Sequence, residues 1–194
     1  MPQHDIIDEL VGLPLELRKR RPITKDQAQK SYEALFLNVR NSDFSLKDRF
    51  AIATFVSRLH GFEKAIKFYE NELKKFQPDW AEVILEAADC AKSTGPFGDY
   101  PDGPLVKENT NGKTWSADAE VKNSLGEKLA AALTHSHLLV FHPRDCEATD
   151  LEALKKAGWS NDEIITLSQL VAFLSFQLRL ALGLKALAAK KEAN

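Results

Sequence analysis

The stretch FSLKDRFAIATFVSRLHGF, residues 44–62, decides how this chain of 194 residues is expected to fold. Ser45 and Asp48 have the spacing of a capping box, in which a serine and an acid three residues later satisfy backbone groups at a helix N-terminus. Apolar residues then recur at helical spacing: Ile52, Phe55, Val56 and Leu59, widened by Leu46, Phe50 and Ala53. Since little polar surface remains, the stretch predicts a helix at the centre of the fold.

A second helix start has the same form. Residues 159–163 (WSNDE) repeat residues 44–48 (FSLKD): an aromatic residue, a serine, and an acid three residues after the serine. The apolar positions that follow also align: Ile52 with Leu167, Phe55 with Leu170, Val56 with Val171, and Leu59 with Leu174. A capping box is common enough to recur by chance, whereas a divergent internal duplication also explains the aligned positions. The duplication predicts repeats at about 24–92 and 117–190, within one domain spanning 1–194.

Helical periodicity covers most of the remaining chain. The first predicted helix opens at Thr24, which Gln27 completes as a capping box, and a short helix opens at Thr149 with Glu152 in the same role. Other predicted helices span about 62–76, 80–88, 121–140 and 160–189. No alternating strand pattern of useful length is present. The sequence therefore predicts an all-α bundle of roughly seven to nine helices.

Residues 93–116 form the least helical segment, with four of the nine glycines and three of the eight prolines. A structureless loop of this length inside a compact domain is usually a lid, a binding loop or a linker. Its apolar anchors are Phe97, Tyr100, Leu105 and Trp115, whereas a flexible linker is poorer in aromatic residues. We expect an ordered loop that packs on the body of the domain or on a neighbouring subunit.

The charge balance argues against several classes of partner. The chain has 26 basic and 28 acidic side chains, whereas nucleic-acid or anionic-membrane binding needs a basic excess. The dense basic run at residues 18–21 suits a phosphate, but it also suits a helix end before Pro22. The first ten residues, MPQHDIIDEL, carry acids where a signal peptide has a basic start. We therefore expect a cytoplasmic protein with no nucleic-acid and no membrane partner.

The two cysteines, Cys90 and Cys146, lie 56 positions apart without a third thiol. This spacing supports neither a structural zinc site nor a disulfide framework. Free, buried thiols in a reducing compartment are the expected state.

The apolar stretch at residues 164–184 is long, but it contains Gln169, Gln177 and Arg179. These polar groups are costly inside a bilayer, so the stretch is better explained as a buried core helix or an interface helix. A small core has difficulty covering a helix that is apolar on nearly every face. The sequence therefore predicts a homo-oligomer, a dimer or a larger assembly.

Residues 44–62 resemble the central helix of the carboxymuconolactone decarboxylase and AhpD-like superfamily. Residues 157–184, which begin AGWSNDEII, resemble the second conserved helix of its two-repeat, "peroxidase-related" members. Together with the HPRD segment at 142–145, the resemblance covers most of residues 40–185. It implies an AhpD-like helical bundle and oligomeric assembly.

The thiol-containing members of that superfamily carry a Glu, a Cys-x-x-Cys pair twelve residues later, and a His four residues beyond the second Cys. The corresponding positions here are Phe50, Phe62, Ala65 and Tyr69. Thiol peroxidase chemistry needs one thiolate to attack and a second thiol to resolve the product. The resemblance is therefore to a subgroup that lacks the CxxC motif, and the redox activity suggested by the family is not expected.

Acid–base chemistry remains open, because the decarboxylase branch of the superfamily needs neither the thiol pair nor a cofactor. His60, Glu63 and Tyr69 are the titratable residues around the degenerate motif. Tyr69 shares a helix face with Phe62 and Ala65, whereas Glu63 lies about 100° from Phe62. Two of the candidates also have a structural explanation: Tyr69 as a core tyrosine with a bonded hydroxyl, and His60 as the end of a helix.

Three arginines interrupt apolar helices: Arg49, Arg58 and Arg179. A buried arginine needs an anionic partner, and Asp48, Glu163 or a neighbouring subunit is a candidate. Alternatively, one of the arginines faces a pocket and holds a substrate carboxylate.

Metal binding is not expected. His135 and His137 are two positions apart, which places them about 200° apart on a helix, so a regular helix does not aim both at one ion. There is no HExxH motif. No cofactor is expected either.

Two functional hypotheses follow. In the first, the chain is a cofactor-free acid–base enzyme for a small, carboxylated or lactone-like substrate, with Tyr69, His60 and Arg49 as the candidate catalytic residues. In the second, it is a non-catalytic protein that binds a metabolite or serves as the scaffold partner of an active AhpD-like alkylhydroperoxidase in antioxidant defence. A pocket with convergent polar groups favours the first hypothesis, and a motif region filled by Phe50 and Phe62 favours the second.

Overall fold

The computed structural model describes residues 5–12, 16–39 and 44–192. Over these residues the regular structure is helical, and strand-like pairing is confined to one bridge between Gly98 and Thr110. The α-helices are α1 (Ile6–Val11), α2 (Pro22–Tyr32, continued by a wider turn at Glu33–Leu37), α3 (Leu46–His60), α4 (Glu63–Lys74), α5 (Trp80–Ala91), α6 (Ala119–Leu125), α7 (Glu127–Phe141), α8 (Ala148–Lys156) and α9 (Asn161–Glu192). The predicted all-α fold class is confirmed.

Helix α3 lies at the centre, because α4, α5, α7 and α9 all pack against it. Its first turn is capped as the sequence predicts: the Asp48 amide donates to the Ser45 hydroxyl at 3.3 Å. It ends at Gly61, whose φ of 68° is accessible to glycine at little steric cost. Ten of its fifteen residues are buried, which confirms the prediction of a central helix with little polar surface.

The two similar helix starts meet in space. The Glu163 amide donates to the Ser160 hydroxyl at 3.3 Å, which is the counterpart of the cap on α3. The rings of Phe44 and Trp159 pack edge to face, with centroids 4.9 Å apart and planes at 78°. All eight aligned apolar positions are buried: Ile52, Leu167, Phe55, Leu170, Val56, Val171, Leu59 and Leu174. The two helix starts are therefore in contact, and the internal duplication stays a prediction.

Two predicted helix starts are displaced. Helix α2 begins at Pro22 rather than Thr24, because the first turn of a helix tolerates a residue without an N–H. Helix α8 begins at Ala148, and its capping box consists of Glu147 and Asp150 instead of the pair that begins at Thr149.

The helix predicted over 121–140 is two helices. Gly126 separates α6 from α7 with φ 85° and ψ 155°, a conformation that interrupts helical hydrogen bonding and favours glycine. The N-terminal end of α6 is capped by Asp118, whose carboxylate accepts from the Val121 amide at 3.0 Å.

Helix α1 was not predicted, and a buried ion pair fixes it. Asp5 caps α1 by accepting hydrogen bonds from the Ile7 and Asp8 amides. Arg18, only 5% exposed, pairs with the carboxylates of Asp5 and Asp8. The basic run at 18–21 therefore contributes a structural arginine, within the short 3-10 helix Glu16–Arg20 and its connection to α2.

Helix α9 is long and apolar, with 32 residues. By length and composition alone, its Asn161–Lys190 portion meets the criterion for a membrane span, with a mean hydropathy of 1.6 over its most apolar window. A core helix that is mostly buried meets the same criterion, whereas α9 buries one face against α1, α3 and α7 and only 39% of that window is buried. The absence of a membrane partner stays a prediction.

Candidate functional site

The four positions that correspond to the thiol motif are buried and filled. Phe50, Phe62, Ala65 and Tyr69 are each at most 3% exposed. The ring of Phe50 stacks between two other rings, those of Phe36 at 5.0 Å and Phe76 at 5.8 Å, measured between centroids. The region is therefore packed with aromatic side chains, as the second hypothesis anticipates.

The Tyr69 hydroxyl is bound inside this core. It donates a hydrogen bond to Oε1 of Gln177 on α9, and both side chains are fully buried. Burial raises the pKa of Tyr69 well above its usual value, so the phenol stays protonated. The arrangement matches the structural explanation of Tyr69, and a catalytic role for Tyr69 stays a prediction.

We expect Tyr69→Phe to lower the free energy of unfolding by about 1–3 kcal/mol, because the buried Gln177 oxygen loses its donor. In Tyr69→Phe with Gln177→Leu, the loss is expected to be smaller than the sum of the two single losses, since neither polar group is left unpaired. Urea unfolding of the four proteins measures the coupling. Strict additivity would contradict this account of the pair.

The other two candidate residues are bound to different parts of the bundle. His60 is half-buried, and its Nε2 lies 3.3 Å from the Ser175 hydroxyl. Burial, with a smaller contribution from Arg179, lowers the pKa of His60 to about 4, so the ring is neutral at physiological pH.

Arg49 is satisfied by backbone oxygens instead of a carboxylate. Its Nε donates to the Phe44 carbonyl at 3.1 Å and its Nη1 to the Leu35 carbonyl at 2.9 Å. The guanidinium lies 4.6 Å from the Phe44 ring centroid. Arg49 thus joins the start of α3 to the end of the α2 segment, and its predicted catalytic role stays a prediction.

A different region gathers polar groups around open space. A cleft of about 740 Å³ lies between α7, α8 and residues 114–117 of the preceding loop. Three imidazoles line it, those of His135, His137 and His142. Carboxylates, ammonium groups, hydroxyls and the Trp115 indole complete its wall. Its size and mixed lining are typical of a small-molecule site.

His135 is the unusual member of this cleft. The residue is 3% exposed, and neither ring nitrogen has a hydrogen-bond partner among the described residues. Burial lowers the pKa of His135, against a smaller opposing effect from Asp150. The side chain is therefore a neutral imidazole with two unused hydrogen-bonding positions.

The other two histidines are engaged with the backbone. Nε2 of His137 lies 3.0 Å from the Ala91 carbonyl, so this nitrogen carries the hydrogen and donates it. Burial lowers the pKa of His137 to about 4. His142 makes two contacts with oxygens: Nδ1 with Asp145 at 2.9 Å and Nε2 with the Lys113 carbonyl at 3.2 Å. Within the described part of the chain, no group of three or more His, Cys, Asp or Glu residues is arranged to hold a metal ion.

The HPRD segment holds the 93–116 loop. An oxygen of Asp145 accepts a hydrogen bond from the Asp99 amide at 3.1 Å. Arg144 donates to the Tyr100 hydroxyl and to the Gly98 carbonyl, each at 3.1 Å, and its guanidinium lies 4.3 Å from the Tyr100 ring centroid. We call residues 142–145 the latch. Because of these contacts, the loop packs on the body of the domain.

Three of the predicted loop anchors are in place and one is not. Phe97 packs on His142 at 5.2 Å, and Trp115 packs on Phe55 at 5.3 Å, both measured between ring centroids. Leu105 is 46% exposed, so it does not anchor the loop; it borders a short 3-10 turn on the surface.

Comparisons with known proteins support the fold. No protein-family model matches the chain, and no curated protein matches it in sequence. A crystal structure of an uncharacterized peroxidase-related protein from Silicibacter sp. TM1040 is similar, with a TM-score of 0.60 and 16% sequence identity. The match covers 92% of this chain and 78% of the other. At this identity, the likeness establishes a shared all-α, AhpD-like fold.

Proposed function

We propose that the cleft lined by His135 is the functional site of this chain, which has the fold of a peroxidase-related protein. At this site the protein performs cofactor-free acid–base chemistry on a small molecule. The observation that carries this proposal is the His135 imidazole, which is buried at the wall of the cleft with both nitrogens unpaired among the described residues. Leaving a buried polar group unpaired is costly, so a partner supplied by a ligand is a physical reason to keep it there.

The chemistry follows from the neutral state of the ring. A neutral imidazole has one nitrogen that accepts a proton and one that donates. Both ring nitrogens are covered in this structure, so a local shift of the cleft wall has to expose one of them to a ligand. His135 would then take a proton from a carbon next to a substrate carbonyl and return it to another substrate atom, so that no redox partner is required. The lowered pKa of His135 keeps the base form present at physiological pH.

The charges around the cleft support a carboxylated or lactone-like substrate, the class expected from the sequence. Lys122 and Lys156 contribute to the wall alongside Glu127 and Asp150, and the Lys122 ammonium lies 3.7 Å from a carboxylate oxygen of Glu127. An ammonium group attracts a carboxylate or the carbonyl oxygen of a lactone. The Trp115 indole offers a flat apolar surface to the remainder of a small substrate.

The test starts from binding and proceeds to turnover. A thermal-shift screen with small mono- and dicarboxylates and their lactones identifies binders, and NMR in D₂O then follows exchange of substrate C–H for C–D. We expect His135→Gln to slow this exchange by about 10²–10⁴-fold while the variant keeps the melting temperature of its fold. An equal exchange rate in His135→Gln, or a loss confined to His60→Gln, would contradict the assignment to the cleft.

The second hypothesis, a metabolite-binding or scaffold partner of an active alkylhydroperoxidase, is supported by the aromatic packing around Phe50 and Phe62. A ligand that raises the melting temperature without any isotope exchange would favour it. Binding that is retained in His135→Gln would also place the ligand away from that imidazole.

A further inference from the structure

The outer face of α9 exposes a line of apolar side chains. Ile165, Phe176 and Leu187 are 57%, 45% and 56% exposed. Each lies eleven residues from the next, which is close to three helical turns and keeps all three within about 40° of one another around the helix axis. The line is about 33 Å long at the rise of an α-helix. Isolated exposed apolar residues are ordinary, but the most apolar window of this helix has a mean hydropathy of 1.6 and is only 39% buried, which leaves much apolar helix surface in contact with water.

The residues of this face form pairs at equal distances from Phe176. Ile165 and Leu187 lie eleven residues on either side of it, and both are large and aliphatic. Closer to Phe176, each pair combines a small with a larger side chain. Ala172 and Leu180 lie four residues on either side of Phe176, and Gln169 and Gly183 lie seven residues on either side of it. An antiparallel second copy places the members of each pair opposite each other. In these two inner pairs, a larger side chain then meets a small one.

The charges at the two ends agree with the same pairing. Asp162 and Lys190 lie fourteen residues on either side of Phe176, and both are exposed. An antiparallel copy brings Asp162 of each helix opposite Lys190 of the other, which forms two attractive contacts between opposite charges. A parallel arrangement would instead bring like charges together. Arg179 lies at the edge of the same face, where an exposed guanidinium can stay in water.

We propose that α9 pairs with α9 of a second copy of this chain, antiparallel and around a two-fold axis at Phe176. In a two-fold antiparallel pair, a residue a given number of positions before Phe176 faces the residue the same number of positions after it in the other copy. The pairing covers the exposed apolar residues on the outer face of α9, while its inner face packs in the core of the domain. Both faces of this apolar helix are then buried in protein, which explains its membrane-like composition.

Cysteine cross-linking tests the register. In a Cys90→Ser, Cys146→Ser background, Phe176→Cys alone is expected to form a disulfide-linked dimer, since the two copies of position 176 face each other at the axis. Ala172→Cys combined with Leu180→Cys is expected to cross-link as well. Ala172→Cys alone is the matched control and is expected not to, because its counterpart lies about 12 Å away along the helix. Equal cross-linking of all three proteins would overturn the proposed register.

Sedimentation of the full chain tests the association itself. We expect a dimer at micromolar concentration, and an increase in the dissociation constant of at least about 100-fold in Phe176→Glu, which places two carboxylates at the axis. Ile23→Glu, on a residue 77% exposed on α2, is the matched control and leaves the dimer intact. Asp162→Lys weakens the dimer, and adding Lys190→Asp restores it. A monomeric wild-type protein, or a monomer that floats with lipid vesicles, would overturn the proposal.

Discussion

Hydroperoxide supplied with a dithiol reductant is expected to stay unconsumed when the purified protein is added, beyond the background of the reagents. Turnover needs a thiolate that attacks the peroxide and a second thiol within disulfide reach, with Cα atoms closer than about 7 Å. The positions that correspond to the thiol pair hold Phe62 and Ala65, both buried. Phe50 stands at the position of the Glu in the thiol-containing members of the superfamily that the sequence resembles.

The remaining thiols, Cys90 and Cys146, are both free. Cys90 is exposed, contrary to the expectation of buried thiols, because it lies on the outer side of the last turn of α5. Burial and, to a smaller extent, Asp150 raise the pKa of Cys146, which reduces its thiolate fraction. The control is a Cys90→Ser, Cys146→Ser double variant. Robust turnover that disappears in this variant would show that the thiol site has moved rather than been lost.

Trp159→Ala is expected to lower the free energy of unfolding by about 3–5 kcal/mol. Trp159 is 3% exposed, and its indole Nε1 donates to the Lys128 carbonyl at 2.8 Å. The Lys128 ammonium lies 5.0 Å from its ring centroid. The substitution removes these contacts and the edge-to-face packing on Phe44, so it loosens both helix starts at once.

Trp80→Ala is the matched control, because Trp80 is half-buried at the surface, with the Lys47 ammonium 4.8 Å from its ring centroid. It is expected to cost about 1 kcal/mol, since a half-exposed ring loses less contact with the core. Urea unfolding compares the two variants with the wild type. A loss in Trp159→Ala no larger than that in Trp80→Ala would contradict a structural role for the contact between the helix starts.

The fold was predictable because its signals are local. The caps at Ser45 and Ser160 depend on residues three positions apart, and periodicity identifies a helix without knowledge of its partners. Helix α1 was not predicted, because six residues with one apolar pair repeated at i+4 are a weak periodic signal. Its four apolar residues are buried in the core, and Arg18 pairs with Asp5 and Asp8 at its N-terminal end; both contacts depend on the tertiary fold.

The cleft was not predicted, because its parts come from separate elements. His135 lies on α7, Asp150 on α8 and Trp115 at the end of the loop. The separation of His135 and His137 by about 200° around the helix axis argues against a shared metal ion. Because both side chains are buried, α7 is covered by other parts of the protein on two sides. The available sequence signal was a pair of histidines, His135 and His137, two positions apart on one predicted helix. Which of them lacks a partner is decided by tertiary contacts.

The latch stabilises the 93–116 loop, whose glycine- and proline-rich sequence forms no regular secondary structure beyond a short 3-10 turn and one bridge. Its residues follow directly on α7, so the groups that hold Gly98 and Tyr100 are an extension of the helix that carries His135. We therefore expect fraying of the last turn of α7 to release the loop as well, so that the two open as one cooperative unit. In hydrogen exchange, the Asp99 amide, which donates to Asp145, should share the protection of that helix end although more than forty residues separate them.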